Sequence, residues 1–160
     1  MPDNLKLELL LRDLYEAMSE LSLVLDSEHQ ALATQDVEQL QQAAVNKDLL
    51  SDRIEQLEQN RVAMLQQLGL GKDLAAMQQL INGSSARAGD ELYKLWNMVA
   101  ELAQECTVKN KLNGVIIEAK RRLTETALSI LHGNIPGNTE LYDADGAKIG
   151  TKGNSTIARA

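Results

Sequence analysis

The chain of 160 residues has no phenylalanine, two prolines, one cysteine and four aromatic residues, Tyr15, Tyr93, Trp96 and Tyr142. So few rings exclude a core built on aromatic packing, and so few prolines leave long helices uninterrupted. The lone Cys106 excludes an internal disulfide and suits a reducing cytosol. Positive charge is also in short supply. A net charge of −7 and a pI near 4.8 argue against nucleic acid or an anionic membrane as the main partner. No apolar run approaches the roughly 18 to 20 residues needed to cross a bilayer. The first residues, Met1 to Lys6, lack a basic start, and Glu8, Arg12 and Asp13 interrupt the leucines that follow, unlike a signal peptide. These features together predict a cytoplasmic protein without direct membrane insertion.

What is present is aliphatic periodicity. Leu7, Leu11, Leu14, Met18, Leu21, Leu25 and Leu32 fall at spacings of three and four, with Glu28 filling the one gap. That seam predicts a long helix over 3–33. Asp36 and Gln39 form a capping signature for a second helix over 36–68, with a seam of Leu40, Ala43, Lys47, Leu50, Ile54, Leu57, Arg61, Met64 and Leu68. Gly69 and Gly71 stop it. So short a connection folds the two helices into an antiparallel hairpin.

An amphipathic segment over 73–81 follows, closed by Asn82-Gly83, and Ser84 or Ser85 can cap a last helix over 86–131. Its seam runs Leu92, Leu95, Val99, Leu102 and Cys106, meets polar residues at Lys109-Asn110 and Asn113-Gly114, and resumes in phase at Ile116, Leu123, Ala127 and Ile130. One bent helix is expected there, with Gly114 allowing a bend or a close helix approach. Half of the ten glycines lie beyond Leu131. The predicted fold is all-α: an antiparallel coiled-coil hairpin, a short helix and a third long helix over 1–131, then a flexible Gly-rich tail over 132–160. The Asp145-Gly146 pair can close a small hairpin in that tail.

Helix lengths bear on function. At 1.5 Å per residue the first two helices reach roughly 45–50 Å and the last roughly 65–70 Å. The C-terminal part of the long helix, Glu118 to Leu131, is therefore expected to outrun its cover while still carrying Leu123, Leu128, Ile130 and Leu131. Such a stripe is either a partner surface or is covered by the tail, the short segment or a second chain, and the residues alone leave both open. Tyr142 poses the same question, because a ring in a tail with no core of its own suits another protein's surface.

The polar residues at core-facing positions read as register-setting structure. Lys47 and Arg61 suit that role, with Glu28 as a mate for Lys47 across the hairpin, and Asn110 and Asn113 suit it in the long helix. His29 and His132 do not stand in the Glu-x-x-His pattern of di-iron bundles. Lys120-Arg121-Arg122 spreads over a helix and is diluted by Glu118 and Glu125, which suits a solvated face. No phosphate-binding glycine loop and no nucleophile paired with a base is present. The sequence predicts no enzyme, no metal and no cofactor.

Three stretches resemble the FlgN-type flagellar export chaperones. They are Leu40-Gln41-Gln42 through Lys47-Asp48-Leu49-Leu50 to Leu57-Glu58-Gln59-Asn60-Arg61, then Asn113-Gly114 with its following apolar residues, and Leu141-Tyr142-Asp143-Ala144-Asp145-Gly146. The resemblance covers most of the chain in order. Asp143 departs from it, where relatives often carry glycine, and Gly69 to Ser85 matches poorly. The resemblance implies a cytoplasmic chaperone of the flagellar type III export apparatus that holds hook-associated proteins, those of the hook-filament junction, before export. It implies a substrate grip at Val115, Ile116, Ile117, Leu123, Ala127, Ile130 and Leu131, and docking of Leu141 and Tyr142 on the cytoplasmic domain of the membrane export gate. It favours the partner-surface reading of the stripe. The other reading is a self-associating structural coiled-coil adaptor without an export role, and the number of chains that assemble is left open.

Overall fold

A computed structural model of the chain describes residues 3–133, 141–142 and 148–149, the last four by their backbone. Four helices follow in order: α1 Asp3–Thr34, α2 Val37–Gln67, α3 Leu74–Gly83 and α4 Ala86–Leu131. The fold is all-α, a helical hairpin followed by a short and then a long helix. Two compact units divide it, Met1–Ile117 and Glu118–Ala160, and α4 contributes residues to both.

Local chemistry sets the ends of these helices. Gln35 takes a left-handed conformation at φ 58°, and the Asp36 amide donates to the Ala31 carbonyl at 3.0 Å, which closes α1 in a Schellman turn. Asp36 then begins α2 by accepting from the Gln39 amide at 3.0 Å. The chain thus reverses within two residues. Gly69, at φ 73°, closes α2 in the same way, with the Leu70 amide on the Leu65 carbonyl at 2.9 Å. Asp73 caps α3 through the Ala76 amide. Ser84 serves the end of α3 rather than the start of α4: its hydroxyl donates to the Leu80 carbonyl at 2.8 Å and accepts from Asn4 Nδ2 at 3.2 Å. This carries α3 to Gly83, two residues beyond the apolar pattern. At Gly89 a Cβ would stand 2.9 Å from the Ile81 carbonyl oxygen, so the first turns of α4 pass the end of α3 where only glycine fits.

The core of the first unit joins all four helices. Leu7, Leu11 and Leu14 meet Leu65 of α2, Ala76, Met77 and Ile81 of α3, and Leu92, Leu95 and Val99 of α4. On α2 the buried line is Ala43, Leu50, Arg61 and Leu65, so it leaves the heptad seam at its end, where Leu68 is exposed. A straight helix drifts about 20° per heptad, and α3 packs against the side to which Leu65 has turned.

In the second unit, Leu141–Tyr142 pairs antiparallel with Lys148–Ile149, Leu141 opposite Ile149 and Tyr142 opposite Lys148. This pairing is centred on Asp145. The turn, the expected flexibility of the tail and the direction of the Tyr142 ring all lie outside the described residues and side chains. Among the described residues, no helix is long and apolar enough to cross a membrane.

Candidate functional site

One polar layer, one groove and one apolar surface stand out. The polar layer lies within the first unit, below the apolar core. Glu28 is buried on α1, and its carboxylate accepts from Lys47 Nζ at 3.1 and 3.3 Å and from Asn113 Nδ2 at 2.8 Å. Asn113 is fully buried; it donates also to the Leu25 carbonyl at 2.9 Å, and its Oδ1 lies 3.0 Å from His29 Nδ1. For that last contact to be a hydrogen bond, the imidazole must carry its proton on Nδ1. One carboxylate on α1 is thereby tied to α2 and α4 together. A buried charge satisfied this fully tolerates only one relative register of the three helices, because losing a partner leaves it uncompensated.

Asn110, placed by its spacing in the same core, is exposed, and none of its side-chain hydrogen bonds falls among the described residues. Only Asn113 of the pair points inward. A Cβ on Gly114 would meet nothing within 4 Å, so close helix approach is not its role, and α4 is continuous there.

One turn before Asn113, Lys109 donates to Asp26 at 2.9 Å, to Ser22 Oγ at 2.9 Å and contacts Glu105 at 2.8 Å. The Ser22 hydroxyl donates to Glu105 at 3.0 Å. These bonds, Lys109 first and Ser22 second, hold the Glu105 carboxyl below its ordinary value, while Glu105 and Asp26 raise the Lys109 ammonium above its own. Cys106 is buried beside this node, with its thiol donating to the Met18 carbonyl at 3.4 Å. Burial pushes that thiol up, with the Glu105 charge adding to it, so it is a poor nucleophile. A groove of about 280 Å³ runs past it, lined by Met18, Leu21, Leu25, Ile54 and Cys106 with Lys47 at its edge.

Arg61 is buried on α2. It pairs with Glu58, Nε to Oε2 at 2.8 Å, and its guanidinium lies 5.0 Å from the Trp96 ring centroid on α4. A guanidinium held on both sides in this way acts as a packing element. Its Nη1 is buried with no hydrogen-bond partner among the described residues.

The apolar surface is on α4. In the first unit Val115 and Ile117 are exposed and Ile116 is half-buried. These three successive residues point about 100° apart and do not form one stripe. In the second unit Leu123 is 71% exposed and Leu131 81%, and Ala127, Leu128 and Ile130 are exposed as well. The cations beside them are taken up locally: Arg121 bonds Glu118 and Glu125, and Arg122 bonds Glu118, all within the helix. Sequence reasoning missed Val108 and Leu112, which are also exposed on α4. Their signal was spacing: they are in phase with Val115, on the side of the helix away from Cys106 and Asn113. Among the described residues, no group of histidine, cysteine and carboxylate side chains is placed to hold a metal.

The FlgN protein family matches residues 1–149 of the chain. The chain belongs to the FlgN family. A solved structure supports the same relation: the crystal structure of a candidate flagella synthesis protein FlgN from Pseudomonas aeruginosa is 27% identical, covers 82% of this chain and 99% of that chain, and superposes with a TM-score of 0.66. No curated protein matches the chain significantly. Membership in the FlgN family gives the chain a flagella-related role.

Proposed function

We propose that this FlgN-family protein is a cytoplasmic flagellar export chaperone that binds hook-associated proteins through the C-terminal part of α4 and delivers them to the type III export gate. The observation that carries the reading is the exposure of Leu123, Ala127, Leu128, Ile130 and Leu131 on the last turns of α4, where the residues between them are Thr124, Glu125, Thr126 and Ser129. Aliphatic side chains in water gain about 1.5–3 kcal/mol each on burial. A terminal helical segment of a hook-associated protein, itself amphipathic, supplies that cover by lying along α4. Val115, Ile116 and Ile117 of the first unit are further cargo contacts in this reading, separate from that stripe. Leu141 and Tyr142 form a separate contact with the cytoplasmic domain of the export gate. A tethered docking element of this kind raises the local concentration of cargo at the gate without new contacts in the helices.

The test is Leu123→Asp combined with Ile130→Asp. Placing two carboxylates in an apolar contact is expected to weaken binding of a hook-associated protein by at least about 100-fold while leaving the helical content unchanged. Isothermal titration with the purified partner reads the result. Binding within a few-fold of the wild-type chain would place the grip elsewhere.

A further inference from the structure

Within the first unit, α3 covers only one end of the three longer helices. At the end carrying Leu7, Leu11 and Leu14 it supplies Ala76, Met77 and Ile81, so four helices share one core. One turn from Leu65, Arg61 of α2 reaches the Trp96 ring of α4 at 5.0 Å. Further along, the groove of about 280 Å³ takes the place of a fourth helix. Its floor is Met18, Leu21 and Leu25 of α1, and among the described residues none of α3 lines it. Met18, Leu21 and Ile54 are left only half-buried. The polar layer at Glu28 and Lys47 holds α1, α2 and α4 in place at its other end.

The shape and the rim of the groove both define an occupant. From Met18 to Leu25 the floor runs about 10 Å, two turns of helix. The walls are small side chains, Ser51 on α2 and Ala103 and Thr107 on α4, which lets a helix backbone come close. A cavity of about 150 Å³ holds one benzene-sized group, so this groove has room for about two aliphatic side chains. On the α2 rim Asp48 and Glu55 stand one turn to either side of Ser51, seven residues apart and both exposed. The Glu55 carboxylate accepts from the Gln59 amide at 3.3 Å, and neither acid forms an ion pair among the described residues. The matching positions beside Thr107 on the α4 rim are Gln104 and Lys111. The acidic rim is therefore on α2 alone.

We propose that this groove binds one end of an amphipathic helix of another protein, which completes a four-helix arrangement. Two aliphatic side chains of that helix cover Met18 and Leu21. Lysine or arginine at seven-residue spacing on one flank meets Asp48 and Glu55, because residues seven apart on two aligned helices keep the same separation. The surface shares no residue with the stripe from Leu123 to Leu131. Its test uses no hook-associated protein, so either reading can fail alone.

The probe is a 21-residue amidated peptide, long enough to be helical, with leucine at the two core positions of each heptad, lysine on one flank and glutamine on the other. A second peptide carries glutamate in place of lysine. Isothermal titration into the full-length protein is expected to show the lysine peptide binding about fivefold more tightly than the glutamate peptide. Asp48→Lys combined with Glu55→Lys is expected to reverse that order. Ser51→Trp and, separately, Ala103→Leu fill the groove and are expected to weaken the lysine peptide by at least about tenfold. Circular dichroism confirms that each variant folds. No binding of the lysine peptide up to about 1 mM overturns the proposal. An order of the two peptides unchanged by the charge variant, or binding untouched by both filling variants, overturns it equally.

Discussion

Glu28 decides much of the first unit at the scale of single residues. A buried carboxylate reached by Lys47 from α2 and by Asn113 from α4 makes the register of three helices depend on one group. Removing Lys47 leaves the charge with neutral donors only. Because the lysine is itself 27% exposed, the loss is expected at the low end for buried pairs, about 1–3 kcal/mol for Lys47→Ala. Chemical denaturation reads it directly. Binding of a hook-associated protein to the folded variant is expected to stay within a few-fold of wild type, and a selective loss of binding with stability intact would make Lys47 a contact residue. The pairing of Glu28 with Lys47 was legible in the sequence, since both sit at seam positions of adjacent antiparallel helices. The difference between Asn110 and Asn113 was not. The two are three residues apart and chemically identical, and only the carbonyl of Leu25 and the carboxylate of Glu28 on α1 show which one has partners waiting.

At the scale of elements, each helix was legible to the extent that one neighbour covers it along one line. The seam of α1 is buried at Leu7, Leu11, Leu14, Leu25 and Leu32, because α1 has the other helices beside it throughout the first unit. On α2 the line bends off to Leu65, since α3 arrives from the side and a heptad count knows nothing of α3. On α4 the covered line through Val99, Cys106 and Asn113 is the one a single seam reports, while Val108, Leu112 and Val115 run along the opposite side of the helix in the first unit. That is why Val108 and Leu112 escaped notice. The α1–α2 turn was also legible in position but not in conformation, because Gln35 occupies a left-handed site that usually calls for glycine. Gln35→Gly is therefore expected to stabilise the protein by about 0.5–1 kcal/mol, read as a higher midpoint in denaturant with an unchanged slope. A lower midpoint would mean that the Gln35 side chain contributes more than its backbone loses.

At the scale of the whole molecule, the account assigns two tasks to two stretches of chain. On the proposed function, the exposed aliphatic residues of α4 take up cargo and the segment around Tyr142 meets the export machinery. Family membership supplies the flagellar setting, and the exposure of Leu123, Ile130 and Leu131 supplies the physical reason for a partner. Leu141–Tyr142 pairs with Lys148–Ile149 in a ladder of two residues on each side, and strands that short are marginal by themselves in water. This suits an element completed by a partner. The most direct test is binding of the full-length Tyr142→Ala variant to two targets side by side, a hook-associated protein and the isolated cytoplasmic domain of the export gate. The account predicts cargo affinity within about twofold of wild type and gate affinity reduced by at least about tenfold, the loss of a buried aromatic anchor. Equal loss of both, or loss of cargo binding alone, would contradict it.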